Sequence, residues 1–386
     1  MLDHFPTIQL VLRPGIIDLG WGHPDPALMP IEAMRHATAA ALDVYGADAL
    51  MYGADPGAGP LRSWLAERIG QREGRTPAPA EIMITGGSSH GLDQLCTLCT
   101  QPGDIVLVES PTYHLAVRIL RDHPLELVPV PADQHGVQVE PVAATLAGLQ
   151  REGRRARMLY TVPTFHNPTG ASLSMERREA LVKLAAEHNL LIVEDDVYRE
   201  LAYDGDAPPS LWSMAAPGTV ARLGSFAKSL APGLRLGWLT ADAALVRRIV
   251  GGGLLDSGGG LNHFTALAVA QMGMLGLFDE QVARLRATYR ARRDALLDAL
   301  MEYLPHGCTW TKPHGGFFVW VRLPEGTDAA ALLPRAEAAG VSYVPGARFH
   351  LDGRGANTLR LAFSLYAEDA LREGARRLGR ALEAGL

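Results

Sequence analysis

The feature that most constrains the fold of this chain is a series of short runs that are apolar throughout. A strand with one solvated face alternates apolar and polar residues, whereas a strand covered on both faces is apolar along its length. Amphipathic helix patterns separate the runs, as over residues 176–188. This alternation predicts an α/β fold with a mostly parallel sheet. The runs occupy residues 81–85, 105–109, 158–162, 190–194, 220–225 and 236–240.

A different pattern follows the glycine-rich residues 251–260. A long amphipathic helix is predicted over residues 277–304, and short strands follow at residues 317–322, 341–344 and 358–363. A chain of 386 residues is too long for one simple core, so we expect two domains. The expected parts are an N-terminal segment at residues 1–45 that contributes to the small domain, a large ligand-binding domain at residues 46–278, and a small α+β domain at residues 279–386.

The composition excludes several classes of protein. A formal net charge of −6 argues against a nucleic-acid or membrane-surface partner. No stretch reaches the roughly 20 apolar residues of a membrane span, and residues 1–20 lack the basic start of a signal peptide. The three cysteines make no disulfide framework, and the Cys96 and Cys99 pair falls in an apolar helix pattern with no second metal motif. We expect a cytoplasmic protein without a metal site.

Lys228 is the first candidate for chemistry. The chain has only three lysines among its 36 basic residues, and Lys228 follows the apolar residues 220–226 amid small side chains. Arginine cannot replace lysine where a neutral amine is needed, because the guanidinium stays protonated. This setting suggests a Schiff-base lysine. The alternative is that the arginine bias reflects genome composition and that Lys228 has no special role.

The polar residues at the ends of the predicted strands are the next candidates, because ligands of an open α/β sheet bind at the carboxyl ends of its strands. The first run ends in Gly87, Ser88 and Ser89, and a helix follows. Free amides at a helix N-terminus with two hydroxyls suit a phosphate, although Gly-Ser turns that open helices are common. The motif is neither a Walker A loop nor a dinucleotide fingerprint.

Polar or aromatic residues also follow the next three runs. Tyr113 could stack on a planar ring, or it is an ordinary half-buried tyrosine. Asn167 could donate to a phenolic oxygen, or it serves only an Asn-Pro-x-Gly turn. Asp195 would suit a protonated ring nitrogen and Tyr198 a phenolate. The alternative is that Asp195 and Asp196 merely cap the next helix.

Two arginines complete the candidates. Arg235 follows Lys228 by seven residues, and with Ser225 it can bind a phosphate. Arg360 lies in an apolar strand of the second domain, where its guanidinium suits a carboxylate; the alternative is an edge-strand arginine that points to solvent. Together the candidates match the needs of pyridoxal phosphate, which are a lysine for its aldehyde, an acid for its pyridine nitrogen, donors for its phenolate, an aromatic face and a phosphate cup.

The chain resembles the fold-type I, class I/II aminotransferases, and within them the branch that contains 2-aminoadipate aminotransferase and the effector domains of MocR-type regulators. The resemblance covers nearly the whole chain. It implies pyridoxal 5'-phosphate as cofactor and a mostly parallel seven-stranded sheet in the large domain. The motifs that carry it are Tyr52-Gly-x-x-x-Gly, Gly87-Ser-Ser-His-Gly, Pro-Thr-Tyr113, Asn167-Pro-Thr-Gly, Asp195-Asp-Val-Tyr198, Ser225-x-x-Lys228, Pro313-x-Gly-Gly and Val344-Pro-Gly.

The resemblance also implies roles for individual residues. The catalytic residues would be Lys228, which would hold the cofactor as an imine, Asp195 and Tyr198. The cofactor would contact Lys228, Gly87, Ser88, Ser89, Tyr113, Asn167, Asp195, Tyr198, Ser225, Arg235 and, from the neighbouring subunit, Tyr52. The substrate would contact Arg360 through its α-carboxylate, together with Asn167 and Gly22.

The implied reaction moves an amino group between an L-amino acid and a 2-oxo acid by a ping-pong mechanism, in a homodimer with shared active sites. One alternative is a pyridoxal-phosphate-dependent lyase or decarboxylase, because fold does not fix reaction. A remoter one is a MocR-type sensor module. Because the aminotransferase pattern begins by about Ile16, we expect no DNA-binding domain ahead of it.

Some positions depart from the relatives, and we expect these positions to line the substrate side-chain pocket. The sequence therefore does not name the amino acid. The departures are Trp21, His23, His90, His166 and the glycine-rich residues 256–260.

Overall fold

The structure is a computed structural model that describes residues 7–383. Within these residues no helix is both long enough and apolar enough to cross a membrane. The described strands are β1 (Ile17–Asp18), β2 (Ile82–Thr85), β3 (Ile105–Ser110), β4 (Glu126–Asp133), β5 (Gly136–Val137), β6 (Ala156–Thr161), β7 (Leu191–Asp195), β8 (Val220–Ser225), β9 (Gly237–Thr240), β10 (Thr309–Trp310), β11 (Phe318–Arg322), β12 (Val341–Ser342), β13 (Val344–Pro345) and β14 (Thr358–Ala362). The described α-helices are α1 (Ile31–Tyr45), α2 (Gly59–Glu73), α3 (Ser88–Cys99), α4 (His114–Arg121), α5 (Val139–Arg151), α6 (Met175–Glu187), α7 (Leu211–Met214), α8 (Ala243–Val250), α9 (Gly253–Gly258), α10 (His263–Met274), α11 (Leu277–Tyr303), α12 (Ala329–Ala338) and α13 (Glu368–Glu383).

The large sheet has its strands in the order β2-β9-β8-β7-β6-β3-β4-β5. The strands from β4 to β8 in this order run parallel, and β9 is antiparallel to both of its neighbours. Successive residues of β3 belong to different apolar clusters: Ile105 and Leu107 to one, Val106 and Val108 to the other. Because successive side chains of a strand point to opposite faces, the sheet is covered on both sides. The continuous apolar runs of the sequence have this cause.

The smaller part of the molecule is built on an antiparallel sheet with the order β10-β11-β14-β13. A third apolar cluster joins this sheet to α11, α12 and α13. β1 pairs with β12 in parallel and so adds the N-terminal segment to this part. α1 instead packs against α10 in the core of the larger part. The domain boundaries at residues 45 and 278 stay predictions, and residues 1–6 and 384–386 of those domains lie outside the described residues.

The predicted α/β fold with a mostly parallel sheet is confirmed. The described sheet has eight strands rather than the expected seven. The additional strand is β5, which has two residues and pairs only with the end of β4. β4 itself did not emerge from the apolar pattern. It contains Pro129 and Pro131 and is only half-buried, because it lies near the edge of the sheet.

Candidate active site

A cavity of about 550 Å³ lies where the carboxyl ends of the central strands face the smaller part of the molecule. It brings together eleven residues that lie far apart in the sequence, together with Lys228. Every predicted cofactor or substrate residue except Tyr52 lines it. These residues are Gly22, Gly87, Ser88, Ser89, Tyr113, Asn167, Asp195, Tyr198, Ser225, Lys228, Arg235 and Arg360.

Lys228 lies three residues beyond β8, in a setting that favours its neutral form. Its Nζ is 5.7 Å from the centre of the Phe317 ring and 6.0 Å from that of Tyr198. Burial, followed by the positive charge of Arg360, lowers the pKa of Lys228 to about 8, although Asp195 opposes the shift. An amine with this pKa is partly unprotonated near neutral pH, as a nucleophile and proton carrier must be.

Asp195 is the last residue of β7, and one of its carboxylate oxygens has no hydrogen-bond partner in the described part of the chain. Oδ2 accepts a hydrogen bond of 2.6 Å from the hydroxyl of Tyr160, whereas Oδ1 is buried and unpaired. Burial raises the pKa of Asp195 to about 6. The alternative in which Asp195 caps a helix does not hold, since the turn that follows has no side-chain cap. The free Oδ1 is therefore available to a cationic group in the cavity.

Arg360 is buried on β14 between β11 and β13, so it is not an arginine that points to solvent. Its Nη1 donates to Oδ1 of Asn167 at 2.9 Å and its Nη2 to the carbonyl of Gly20 at 2.7 Å. Both partners are neutral, and burial lowers the pKa of Arg360 to about 10. A buried guanidinium without a counterion suits a ligand carboxylate. The bond to Asn167 uses the amide oxygen and leaves the amide NH₂ as a donor.

The anion end of the cavity is formed where α3 begins. Gly87 has φ +94° and lies against Arg235, whose Nη2 would be 3.1 Å from a Cβ at this position. Arg235 also has a left-handed backbone, with φ 47°. The Ser225 Oγ accepts a hydrogen bond from the Ala227 amide at 3.1 Å, which leaves its own hydrogen to donate. Unpaired helix amides, hydroxyls and a guanidinium together suit a phosphate.

Two tyrosines line the cavity between these ends. Tyr198 is buried with its ring edge-on to Phe317, at 5.4 Å between centres. Burial raises the pKa of Tyr198 far above its usual range, so its hydroxyl keeps its proton and donates. Tyr113 immediately precedes α4, and burial raises its pKa too.

Tyr52 is the one predicted cofactor residue that the structure does not bring to the cavity. Its side chain is 86% exposed. The adjacent Gly53 forms an isolated β-bridge with Gly260. A side chain at Gly260 would collide with the carbonyl of Ala54. The loop that carries Tyr52 is thus fastened at Gly260, and its tyrosine does not line this chain's cavity.

The sequence predictions missed three residues that shape the site. Tyr160 holds Asp195, the carbonyl of Gly20 holds Arg360, and His114 lines the cavity beside Tyr113. Burial lowers the pKa of His114 to about 4, which keeps it neutral. Tyr160 lies in the apolar β6 run, in a strand that is covered on both faces. Its buried hydroxyl needs a hydrogen-bond partner, and this was the signal that could have identified it.

The positions that depart from the relatives divide into two groups. Trp21 and His23 line the cavity as expected. His90, His166 and residues 256–260 do not line it, so the prediction for these positions was wrong. His166 is fully enclosed, with its Nδ1 2.8 Å from Thr169 Oγ1, and residues 256–258 belong to the short helix α9.

The residues of the cavity fit pyridoxal phosphate. A lysine with a lowered pKa lies in the same cavity as a buried carboxylate with a free oxygen and a phosphate cup. Each of these groups is of the type that one part of the cofactor needs.

Comparisons with known proteins agree with this geometry. The sequence pattern of the family "Aminotransferase class I and II" matches residues 14–378. Aromatic-amino-acid aminotransferase 1 of Thermococcus litoralis is 37% identical over 97% of this chain and 90% of that protein. The 2-aminoadipate transaminase of Thermus thermophilus is also 37% identical, over 97% of this chain and 92% of that protein.

A solved structure shows the same fold with a cofactor bound. Kynurenine aminotransferase of Pyrococcus horikoshii, in complex with PMP, KYN and KYA, superposes with a TM-score of 0.92 and 37% identity, over 96% of this chain and 92% of that one. The fold-type I architecture and the use of pyridoxal phosphate are therefore shared. The chain belongs to the class I and II aminotransferases.

Proposed function

We propose that this chain transfers an amino group from an L-amino acid to a 2-oxo acid in two successive half-reactions at the one cavity, with Lys228, Asp195 and Tyr198 as catalytic residues. One observation carries the assignment. Among residues 7–383, a lysine with a lowered pKa shares a cavity with a buried carboxylate that has a free oxygen and a buried arginine that has no counterion. The comparisons support the reaction class, and the geometry supports the individual roles.

The bound cofactor supplies an electrophilic aldehyde and a ring that stabilises negative charge at the substrate Cα. Asp195 would hold a proton on the pyridine nitrogen through its free Oδ1. Tyr198 and the amide NH₂ of Asn167 would donate to the phenolic oxygen, and Tyr113 would cover one face of the ring. The phosphate would be bound by Gly87, Ser88, Ser89, Ser225 and Arg235.

Arg360 would orient the substrate by binding its α-carboxylate, with Gly22 close by. A Cβ at Gly22 would be 2.6 Å from the Phe318 ring, so only glycine lets the loop approach this closely. Held in this way, the substrate would direct its Cα hydrogen toward Lys228. The Nζ of Lys228 would take that proton and deliver it to the former aldehyde carbon of the cofactor, on the other side of the amino nitrogen, which its lowered pKa permits.

We also propose a homodimer in which Tyr52 completes the phosphate site of the partner subunit. The exposed large apolar side chains of α1 and of the segment just before Tyr52 support this. Ile31, Val44, Leu50 and Met51 are each more than half exposed. Large apolar side chains that are exposed in a single chain are typical of an interface between chains. The three cysteines are unpaired, which supports a reducing cytoplasmic location.

The central experiment loads the purified protein with pyridoxal phosphate, reduces it with borohydride and maps the labelled peptide. We expect a single label at Lys228, none in Lys228→Ala, and an unchanged label in Lys183→Ala, since Lys183 lies exposed on α6. An amino acid added to the unreduced enzyme should abolish the absorbance of the lysine-bound cofactor. A label elsewhere, or release of ammonia without an oxo-acid acceptor, would contradict the proposal.

The shared-site dimer has a separate test that uses subunit mixing. Lys228→Ala and Tyr52→Phe homodimers should each be impaired, the second through weaker cofactor binding. A mixed dimer contains one site with the intact lysine of one subunit and the intact tyrosine of the other. Activity should therefore rise when the two variants are mixed and refolded. No gain on mixing would mean that each subunit builds its own site.

A further inference from the structure

The loop at residues 20–24 places two aromatic side chains next to the group proposed to bind the substrate carboxylate. The carbonyl of Gly20 accepts from Arg360 at 2.7 Å, and the carbonyl of His23 accepts from Ser364 Oγ at 2.8 Å. These bonds fix both ends of the loop. Trp21 and His23 consequently face the space that a bound amino acid would fill with its side chain.

The rings of Trp21 and His23 offer flat faces to a planar group, and the His23 ring also carries polar nitrogens that the described part of the protein does not use. The centres of the two rings are 4.8 Å apart and their planes are inclined by 72°. Neither ring nitrogen of His23 has a hydrogen-bond partner among residues 7–383, and Nδ1 is fully enclosed. Burial, then Lys228 and Arg360, lowers the pKa of His23, so the ring is neutral near pH 7. A neutral imidazole has one N–H and one acceptor nitrogen, and with its hydrogen on Nε2 the His23 ring would offer a donor to a ligand.

The charges around this region do not favour a second carboxylate. Arg13 also lines the cavity, but it is held by Asp18 and Glu337, each at 2.7 Å. Arg348 is exposed at the rim, where water and salt screen its charge. A substrate with an acidic side chain would therefore lose its hydration without gaining a buried cation.

We propose that the enzyme's amino-donor substrates are neutral aromatic L-amino acids that carry a polar ring substituent, and that His23 determines this specificity. Trp21 packs against the substrate ring, and Nε2–H of His23 donates to the ring oxygen or carbonyl. The inference rests on the proposed function only for the position of the α-carboxylate at Arg360. It concerns the side-chain end of the site, at Trp21 and His23, to which no cofactor contact is assigned.

A binding experiment with compounds that lack the amino group tests this without any turnover. Calorimetry on the cofactor-loaded enzyme would compare 3-(4-hydroxyphenyl)propanoate, 3-phenylpropanoate and glutarate. We expect the hydroxylated compound to bind about 3- to 10-fold more tightly than 3-phenylpropanoate, the effect of one hydrogen bond. Glutarate should bind at least about tenfold more weakly than the hydroxylated compound.

Variants separate a specificity role from a structural one. His23→Phe keeps the planar ring, so it should remove the preference for the hydroxyl while leaving binding of 3-phenylpropanoate within about twofold. Trp21→Leu should weaken both aromatic compounds and leave glutarate unchanged. The matched control is His306→Phe, which alters an exposed histidine outside the cavity and should change nothing.

Three results would overturn the inference: equal affinities of the wild type for the two aromatic compounds, tightest binding of glutarate, or equal weakening of both aromatic compounds by His23→Phe. A parallel half-reaction assay with tyrosine, phenylalanine and glutamate separates this failure from failure of the function. If glutamate reacts fastest, only the specificity is wrong. If no amino acid reacts, the proposed function is wrong.

Discussion

Asp195 and Asp196 are adjacent at the end of one strand, yet their electrostatic surroundings are opposite. Both are buried. Oδ2 of Asp196 lies 2.9 Å from Nε of Arg222 and 2.5 Å from Nε of Arg199. Asp195 has only a neutral phenol as partner, and burial raises its pKa to about 6. One carboxylate is neutralised by the fold, and the other is left for a ligand.

The buried arginines repeat this contrast. Arg222 lies between Glu73, at 2.7 Å, and Asp196, and these carboxylates raise its pKa above the usual value. Arg360 is buried to a similar degree, but its partners are an amide and a carbonyl, and its pKa is lowered to about 10. Burying a charge without a counterion costs several kcal/mol in general. Such charges therefore identify the places where the protein gives up stability so that a ligand can bind.

The largest expected effect comes from removing the charge of Asp195. Asp195→Asn should lower kcat by about 10²- to 10⁴-fold, because the cofactor ring nitrogen would lose its proton-holding partner. The folded state should be retained. Asp196→Asn is the matched control and should destabilise the fold while the folded enzyme keeps a kcat near that of the wild type. Steady-state kinetics and thermal unfolding of both variants would measure this, and equal losses of kcat would remove the distinction.

The paired and unpaired arginines should differ in what their charge contributes to stability. Arg222→Met removes the more deeply buried of the two arginines that Glu73 and Asp196 share and leaves them Arg199, and we expect a loss of about 3–5 kcal/mol in unfolding free energy. Arg360→Met removes an uncompensated charge, so its stability should stay within about 1 kcal/mol of the wild type. Denaturant unfolding of the two cofactor-free variants would test this. A similar loss in both would show that Arg360 is a structural charge.

A pH titration of the cofactor-free protein sharpens the comparison at Asp195. Its pKa of about 6 in the folded state is above its usual 3.8, so folding favours the protonated carboxyl. The resulting stabilisation is complete below pH 3.8 and is lost as the pH rises through about 6. Relative to Asp195→Asn, the wild type should lose at most about 3 kcal/mol over this range. Parallel stability curves for the two proteins would contradict the buried, unpaired assignment.

The sequence alone predicted the elements that depend on local pattern. The apolar runs gave β3, β6, β7, β8 and β9 to within two residues at each end, because a doubly covered strand has few alternatives. β4 was not predicted, since its prolines and half-exposed residues resemble a loop.

Site residues were predictable where they end a strand, as Asp195 does, or follow one closely, as Asn167 does. Residues that reach the site only through the pairing of strands were not predictable. Tyr160 reaches Asp195 only because β6 and β7 pair with Tyr160 opposite Val193, two residues before the aspartate. Likewise, Gly20 and Arg360 meet only once β1 and β14 are assembled in the smaller part of the molecule.

The smallest effect is expected from a change at Tyr160. Among residues 7–383, its hydroxyl donates the one side-chain hydrogen bond that the Asp195 carboxylate accepts. This bond lowers the pKa of Asp195 against the larger effect of burial, so Tyr160→Phe should raise that pKa further. Since catalysis needs the ionised carboxylate, kcat should fall about 3- to 10-fold near pH 8, the value of one hydrogen bond, and more near pH 6. For the same reason, the acidic limb of the pH profile of kcat should shift to higher pH. A purely structural tyrosine would lower stability and leave the shape of the profile unchanged, so the profile rather than the rate decides whether the phenol tunes the aspartate.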